Sequence, residues 1–526
     1  MEKRLIVAIA LSLLIIVGFQ YFFVKPQPQQ KPPVEEALPK ALEPVKEEIS
    51  SQIKPGVEEK TVEAETDNYI ITFSNFGGAI KSIKLKKYKN SHSSEPLELV
   101  ALNNPKDYIG ATAGQVDSLI LDQSGYEISV KDLTVTASLK EGDIEVVKKY
   151  ILHKSNYSIE LQIFIKNATT AQKTLNYNLI GCAGLSETSP EDKRFLENSA
   201  KVSGKISGFK KVKTGRTILP GSVEWIAGKN KYFSIIMIPS MPTADAFCGE
   251  SAKGYFASGV GVSEVSIPPK SFVEHKFSLY AGPAQIAIMK RHNPILEETI
   301  NYGFFGGIAK VFIVTLEVLH KMFNSWGFAI IVLAVVLNII LFPLSMKSFQ
   351  SMKKMQELHP QMEKLKIQCK DNPQKLNKEM MELYKKYKIN PFSGCLPLLL
   401  QMPIFIALYQ ALSRDINLRS ANFLWIKDLS SPDAVPIPFT LPIFGNSINV
   451  LPLAMVAAMV IQQKISTKTM GSAVTDEQKQ QQKMMLIMMP ILFGFIFYNM
   501  PSGLVLYWLI NTVLTAVEQV MAFKNS

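Results

Sequence analysis

The hydrophobic pattern divides the chain into regimes. Leu5 to Val24 is an uncharged apolar run, about the 20 residues that a helix needs to cross a bilayer. Between 66 and 285 apolar positions alternate with polar ones, as in Tyr69-Ile-Ile-Thr-Phe73, Ile80-Lys-Ser-Ile-Lys-Leu85, Ser158-Ile-Glu-Leu-Gln-Ile-Phe164 and Phe272-Val-Glu-His-Lys-Phe-Ser-Leu-Tyr280. Period-two alternation punctuated by Gly, Asn, Asp and Ser predicts strands, and the whole stretch is expected to form one large antiparallel β-sandwich. It contains no long apolar run, so it should lie on one side of the membrane. From Pro294 onward the pattern is helical. Tyr302 to Phe323 is apolar but broken by Gly303, Gly306, Gly307, Lys310, Glu317, His320 and Lys321, which predicts an amphipathic interfacial helix within 294–323. Five apolar runs follow: Gly327–Leu344, ended by Pro343 and then Lys347, Ser393–Leu412, Val450–Ile465, Met484–Asn499 and Leu504–Phe523.

Six spans and one polar domain make this a multi-domain membrane protein. Residues 1–24 start with Glu2-Lys-Arg4 and end in Tyr21-Phe-Phe23. An aromatic belt without small residues at a cleavage site favours an uncleaved signal anchor over a removable signal peptide. Residues 25–65 carry seven prolines among Gln, Glu and Lys, so a disordered linker is expected there. The sandwich occupies 66–285 and the five-span core 327–523, with polar segments at 346–390 and 466–483.

Charge locations fix the expected topology. Lys and Arg number 57 against 45 Asp and Glu, a net +12. Segment 346–390 holds eleven lysines and five acids, whereas the 413–447 loop holds three of each sign. The basic excess lies where an N-in, C-in arrangement puts cytoplasm, which explains much of it without DNA. Enzyme signatures are missing from the sequence: there is no G-x-x-x-x-G-K-[ST], G-x-S-x-G, H-E-x-x-H or C-x-x-C. No enzyme activity, metal or organic cofactor is implied. Cys182 and Cys248 share the polar domain, and their pairing is left open.

Two constellations suggest function. In the cytoplasmic segment, Met355, Leu358, Met362 and Leu365, then Leu376, Met380, Leu383 and Tyr387, repeat at three and four around Lys370-Asp-Asn-Pro373. That spacing predicts an antiparallel helical hairpin. A coiled coil packed on itself is the plain reading. The alternative is a receptive surface for many apolar sequences, using the adaptable side chains of Met352, Met355, Met362, Met380 and Met381. Within the spans, polar side chains stand at Asn338, Gln401, Gln463 and, on one face of the last helix, Tyr507, Asn511, Thr515 and Glu518, with Trp508 and Thr512 beside them. Each alone reads as interhelical hydrogen bonding. Together they suggest a wet groove in the inner half of the membrane, lined by Asn338, Gln401, Gln463, Tyr507, Trp508, Asn511, Thr512 and Thr515. A transporter using Glu518, or a mere anchor for the sandwich, are the competing readings; no inverted repeat supports the first.

The block Asn390-Pro-Phe-Ser-Gly-Cys-Leu-Pro-Leu-Leu-Leu-Gln-Met-Pro-Ile-Phe-Ile-Ala-Leu-Tyr409 resembles the third span of the YidC/Oxa/Alb insertases. Trp326-Gly-Phe-Ala-Ile-Ile331, Leu424-Trp-Ile-Lys-Asp-Leu429, Pro501-Ser-Gly-Leu-Val-Leu-Tyr-Trp508 and Phe76-Gly-Gly-Ala-Ile80 are similar to other segments of the Gram-negative members, in order. The resemblance implies a bacterial inner-membrane insertase and chaperone with a periplasmic sandwich. Nascent membrane proteins would be its substrates, and membrane lipids, the Sec translocon and ribosomes, through the basic loops, its partners. Its groove would open to cytoplasm and lipid, and no nucleotide would be consumed. In that family an arginine usually faces the groove from the second span. The matching position here is Asn338, so groove polarity and local membrane thinning are expected to carry more of the work.

Overall fold

A computed structural model describes residues 58–524, apart from 90–94, 117–118, 122–124, 186–194, 210–215, 251–254, 301, 370–371, 388–395, 442–444 and 470–475. The expected signal anchor, most of the linker and the start of the 390–409 block lie outside these residues.

The polar domain is built of antiparallel strands in three sheets. Thr61–Glu65, Tyr69–Ser74, Ala79–Lys89 and Pro96–Ala101 form a four-stranded meander. A nine-stranded sheet runs from Lys205–Gly208 at one edge to Glu127–Lys131 at the other, and a six-stranded sheet from Arg216–Pro220 to Leu119–Ile120. The last two pack face to face: a Cβ at Gly181 would collide with Ile226 and Met237 of the facing sheet. The sandwich therefore begins at Thr61, and the linker predicted to run to residue 65 ends earlier. Thr61-Val-Glu-Ala-Glu65 reads as polar, yet it pairs in full with Glu65↔Ile70 through Thr61↔Ser74 and needs only one buried side chain, Ala64, to seat it.

In the strand Ile144–Leu152 every second residue is buried, which puts Lys148 at a core position between Val146 and Tyr150. Its ammonium donates to the carbonyls of Gly77 at 2.6 Å and Gly110 at 2.8 Å, while Tyr150 Oη donates to Gly78 O at 2.8 Å. Two side chains thus hold the Phe76-Gly-Gly turn from below. Only glycine fits there, because Gly78 has φ +51° and a Cβ would lie 2.7 Å from that of Ala137. Cys182 and Cys248 both stand opposite Ser258, on the strands flanking it. Two strand spacings are about 10 Å, beyond disulfide reach, and both thiols are free. Burial pushes each up to about 12, which keeps them protonated and unreactive.

The helical part comprises α1 (Ile286–His292), α2 (Gly306–Phe323), α3 (Trp326–Glu357), α4 (His359–Gln368), α5 (Pro373–Lys386), α6 (Leu396–Arg414), α7 (Val450–Thr469), α8 (Asp476–Phe497) and α9 (Ser502–Lys524). Among the described residues, three helical stretches are long and apolar enough to cross a membrane: Trp326–Met355, Val450–Thr467 and Ser502–Lys524; Ile487–Phe497 is a shorter apolar stretch. Expected boundaries move in three places. The amphipathic helix starts at Gly306, after a 3-10 turn at Pro294–Thr299. The span expected over Gly327–Leu344 is part of one helix that runs on to Glu357, since a proline removes one hydrogen bond without ending a helix whose neighbours hold it. The polar segment 466–483 is largely absorbed into the ends of α7 and α8.

Lys148→Met keeps the shape of the buried side chain but leaves two buried carbonyls without their donor. The full-length chain should lose about 2–4 kcal/mol of sandwich stability, measured as earlier urea-dependent proteolysis of the polar domain. An unchanged midpoint would show that the pin is dispensable.

Candidate functional site

The site is the seam between α3 and α9. Asn338 on α3 is buried, and its Nδ2 donates to Ala334 O at 3.0 Å and to Asn511 Oδ1 on α9 at 2.9 Å, a pair 173 residues apart in sequence. The same offset recurs above and below. A Cβ on Gly503 would meet Ile330, and the Ser345 hydroxyl hydrogen-bonds the Glu518 carboxylate. A constant offset means two parallel helices in register, with contacts seven or eight residues apart, the repeat of a coiled-coil seam. Small and apolar contacts occupy its outer end and polar ones its inner half, where Ser348 and Gln519 are also buried. At a rise of about 1.5 Å per residue, Asn511 lies about 13 Å and Glu518 about 24 Å along α9 from Ser502.

Beside the seam, Gln401 Nε2 on α6 donates to Tyr507 Oη on α9 at 2.9 Å. The remaining predicted residues divide. Thr512 and Thr515 turn their hydroxyls back to Trp508 O and Asn511 O, both at 2.8 Å, and so satisfy themselves within α9. Gln463 stands on α7, where its carbonyl accepts from Thr467 at 2.8 Å; none of the described hydrogen bonds joins it to the set. Trp508 does not line the polar face. Its ring sits among Phe405, Phe493 and Phe497 at centroid distances of 5.2, 5.6 and 5.2 Å. Its indole therefore serves as apolar packing between α6, α8 and α9. Ser345 and Ser348 are the residues that sequence reasoning missed. They lie seven and ten positions after Asn338, on the same helical face, but beyond Pro343 and the end of the apolar run. On its other flank α9 meets α7 across an apolar groove of about 430 Å³, lined by Ala458, Ile461, Ile465, Val513, Ala516, Val517, Val520 and Met521.

The outer end of the seam is closed by the 415–449 loop. Ser502 and Gly503 donate their backbone N–H groups to Ser431 O and Leu429 O, both at 2.9 Å. Asp433 Oδ2 caps α7 by accepting from the N–H groups of Val450 and Leu451 at 2.9 Å, and takes Trp425 Nε1 at 3.1 Å. Phe423 covers Gly327 so closely that a Cβ there would lie 2.1 Å from its ring. The polar domain docks on the same loop: Tyr232 Oη donates to Ser430 Oγ at 2.8 Å, Gln285 Nε2 to Asn417 Oδ1 at 3.4 Å and Arg419 to Lys89 O at 2.9 Å.

The methionine constellation is split. Met352 and Met355 stand on the extension of α3, while Met362 belongs to α4 and Met380 and Met381 to α5. α4 and α5 pack against one another, with Tyr384 Oη 3.9 Å from Met362 Sδ and Gln361 Nε2 3.1 Å from Tyr387 Oη. Asn372 caps α5 by accepting from Lys375 N at 3.0 Å, with Pro373 at the first helical position as capping chemistry prefers. Of the five methionines Met381 is the exposed one.

Fold and seam together define a multi-pass membrane protein with a large β-rich domain and a polar column between its apolar helices. Comparison with known proteins supplies the family. Residues 61–315 match the family described as YidC periplasmic domain, and 318–526 the one described as 60Kd inner membrane protein. A membrane protein insertase YidC of Geobacter sulfurreducens is 34% identical over 99% of this chain and 98% of its own length; one from Geotalea daltonii is 31% identical over 100% and 99%. A solved structure of an active YidC insertase aligns over 88% of this chain and 92% of its own, at 17% identity and TM-score 0.38. The chain belongs to the YidC family of membrane protein insertases, inner-membrane proteins with a periplasmic domain.

Asp415, just past the end of α6, offers a measurable handle on the outer closure. Its Oδ1 accepts from Asn417 N at 2.9 Å, while Oδ2 is buried without a hydrogen-bond partner among the described residues. Burial, reinforced by the nearby Glu317 charge, pushes its carboxyl up to about 6 against the bonds from Asn417. The folded chain therefore favours the protonated acid, and this stabilisation is complete below about pH 4 and lost as pH rises through 6. Asp415→Asn should raise stability at pH 8 by up to about 3 kcal/mol, and the gain should vanish towards pH 4. Thermal unfolding of the detergent-solubilised chain across that range checks it; a gain independent of pH would contradict the assignment.

Proposed function

We propose that this chain inserts nascent proteins into the inner membrane, acting as insertase and chaperone without nucleotide. The observation that carries the reading is the in-register polar column between α3 and α9, closed outside by the 415–449 loop. In hydrocarbon, an unpaired polar group of a translocating tail costs several kcal/mol. Asn338, Asn511, Gln401, Tyr507 and Glu518 offer it partners along the crossing. The amide pair keeps capacity beyond its present bond, since Asn338 Oδ1 and Asn511 Nδ2 are not used in joining the two. The tail exchanges hydrogen bonds along the column while the following apolar span passes into lipid. Burial of that span provides the driving force, at about 25 cal/mol per Å² of apolar surface.

The reading extends to topology. Six spans, with both termini in the cytoplasm, put α4 and α5 in the cytoplasm as a receiving hairpin. There Met352, Met355, Met362, Met380 and Met381 meet apolar segments and the lysines meet anionic lipid or ribosomal RNA. Gln463, at the inner part of α7, would stand at the groove's mouth. The insertase would work alone for short tails and beside the Sec translocon for larger substrates. Family membership favours this reading over a transporter.

The test is insertion of a small single-span protein into liposomes holding only the purified chain, without nucleotide, read as protection of the outer tail from protease. Protection several-fold above empty liposomes is expected; equality with them, with the chain folded and correctly oriented, would contradict autonomous insertion. In the same assay Asn338→Leu should lower protection several-fold, because it removes a polar partner at mid-column; insertion at the unaltered level would exclude the column as the tail's route.

A further inference from the structure

The segments 326–346, 396–413, 450–463 and 484–523, which hold the apolar stretches of α3, α6, α7, α8 and α9, contain one ionisable Asp, Glu, Lys, Arg or His side chain between them, Glu518. Its position is not incidental. It is 7% exposed, faces α3 rather than the apolar groove on α9's other flank, and sits at the inner end of the polar column. The Ser345 hydroxyl bonds it, and Ser348, one turn on along α3, and Gln519, its neighbour on α9, are 2% exposed each. A carboxylate held among hydroxyl and amide groups, at a depth where charge is expensive, is more than a packing element. Packing alone would favour a neutral glutamine, which has the same shape and carries no desolvation penalty.

We propose that Glu518 sets the charge preference of the column, favouring tails that bear lysine or arginine over tails that bear aspartate or glutamate. The proposal rests on the insertase reading. A tail entering the seam from its inner end passes Glu518 before it reaches the Asn338–Asn511 pair. A cationic side chain gains a counter-charge there, and an anionic one meets like charge in a medium that screens poorly. Among the described residues of the column no cation further along compensates the anion, because Asn338 and Asn511 present amides and Gln401 and Tyr507 an amide and a phenol. The selectivity is therefore of one sign, set at the entrance.

The experiment compares three single-span substrates that differ only in the translocated tail, carrying two lysines, two serines or two aspartates, in liposomes of neutral lipid without a membrane potential. For the unaltered chain, protection of the lysine tail should exceed that of the aspartate tail about fivefold, the size of effect that a partly hydrated ion pair confers. Glu518→Gln should bring the ratio to within about twofold, and Glu518→Asp should keep the preference. Each ratio is taken within one variant, so a general loss of folding or activity does not mimic the result. Equal insertion of all three tails by the unaltered chain, or an unchanged ratio in Glu518→Gln, would overturn the proposal and leave the insertase reading standing. If no tail were protected by any variant, the insertase reading itself would fall, and this proposal with it.

Discussion

The structure depends on one constraint: a polar group within the hydrocarbon layer must find a partner in the protein. That constraint explains why α3 and α9 run parallel and in register. The pairs Asn338–Asn511 and Ser345–Glu518 share one offset, so a shift of either helix by a residue would break both at once. Apolar packing tolerates sliding far better than this, since one leucine replaces another in a hole. Each interhelical bond contributes only about 0.6 kcal/mol on average. The register is nevertheless well defined, because the alternatives leave groups unpaired.

The chemistry that fixes the seam is also what the proposed path requires. Amides and hydroxyls are both donors and acceptors, so a bond between Asn338 and Asn511 can be exchanged for one to a passing tail without leaving either group stranded. A sealed apolar interface has no such freedom. On the outside, backbone and carboxylate bonds from Ser431, Leu429 and Asp433 tie down the N-terminal ends of α9 and α7. The polar domain braces this cap through Tyr232, Gln285 and Arg419.

Much of this was legible in the chain. Period-two alternation marked the strands because one face of each is buried, and the apolar runs marked the helices by length. The polar stripe on α9 was visible as spacings of four, four and three. What escaped detection had physical reasons. Lys148 is not marked by the sequence, since nothing local tells that its alternation phase is the buried one. Pro343 signalled a helix end, although neighbouring helices carry α3 through to Glu357, and Ser345 and Ser348 were hidden by that signal. Trp508 shares a helix with the polar stripe, but a large aromatic ring is drawn to Phe405, Phe493 and Phe497, a preference that one-helix periodicity does not reveal. Which polar groups pair across helices is a property of the register, and register is not written in either helix alone.

The most direct test of the polar column as the path is contact with a tail in transit. A photo-crosslinking residue placed at Asn511, and another at Ile461 in the apolar groove, would each be illuminated while a stalled single-span substrate is held part-way across. The account predicts adducts between position 511 and the polar tail, and no tail adducts at position 461. Tail adducts at 461 without any at 511, under conditions where insertion proceeds, would contradict it.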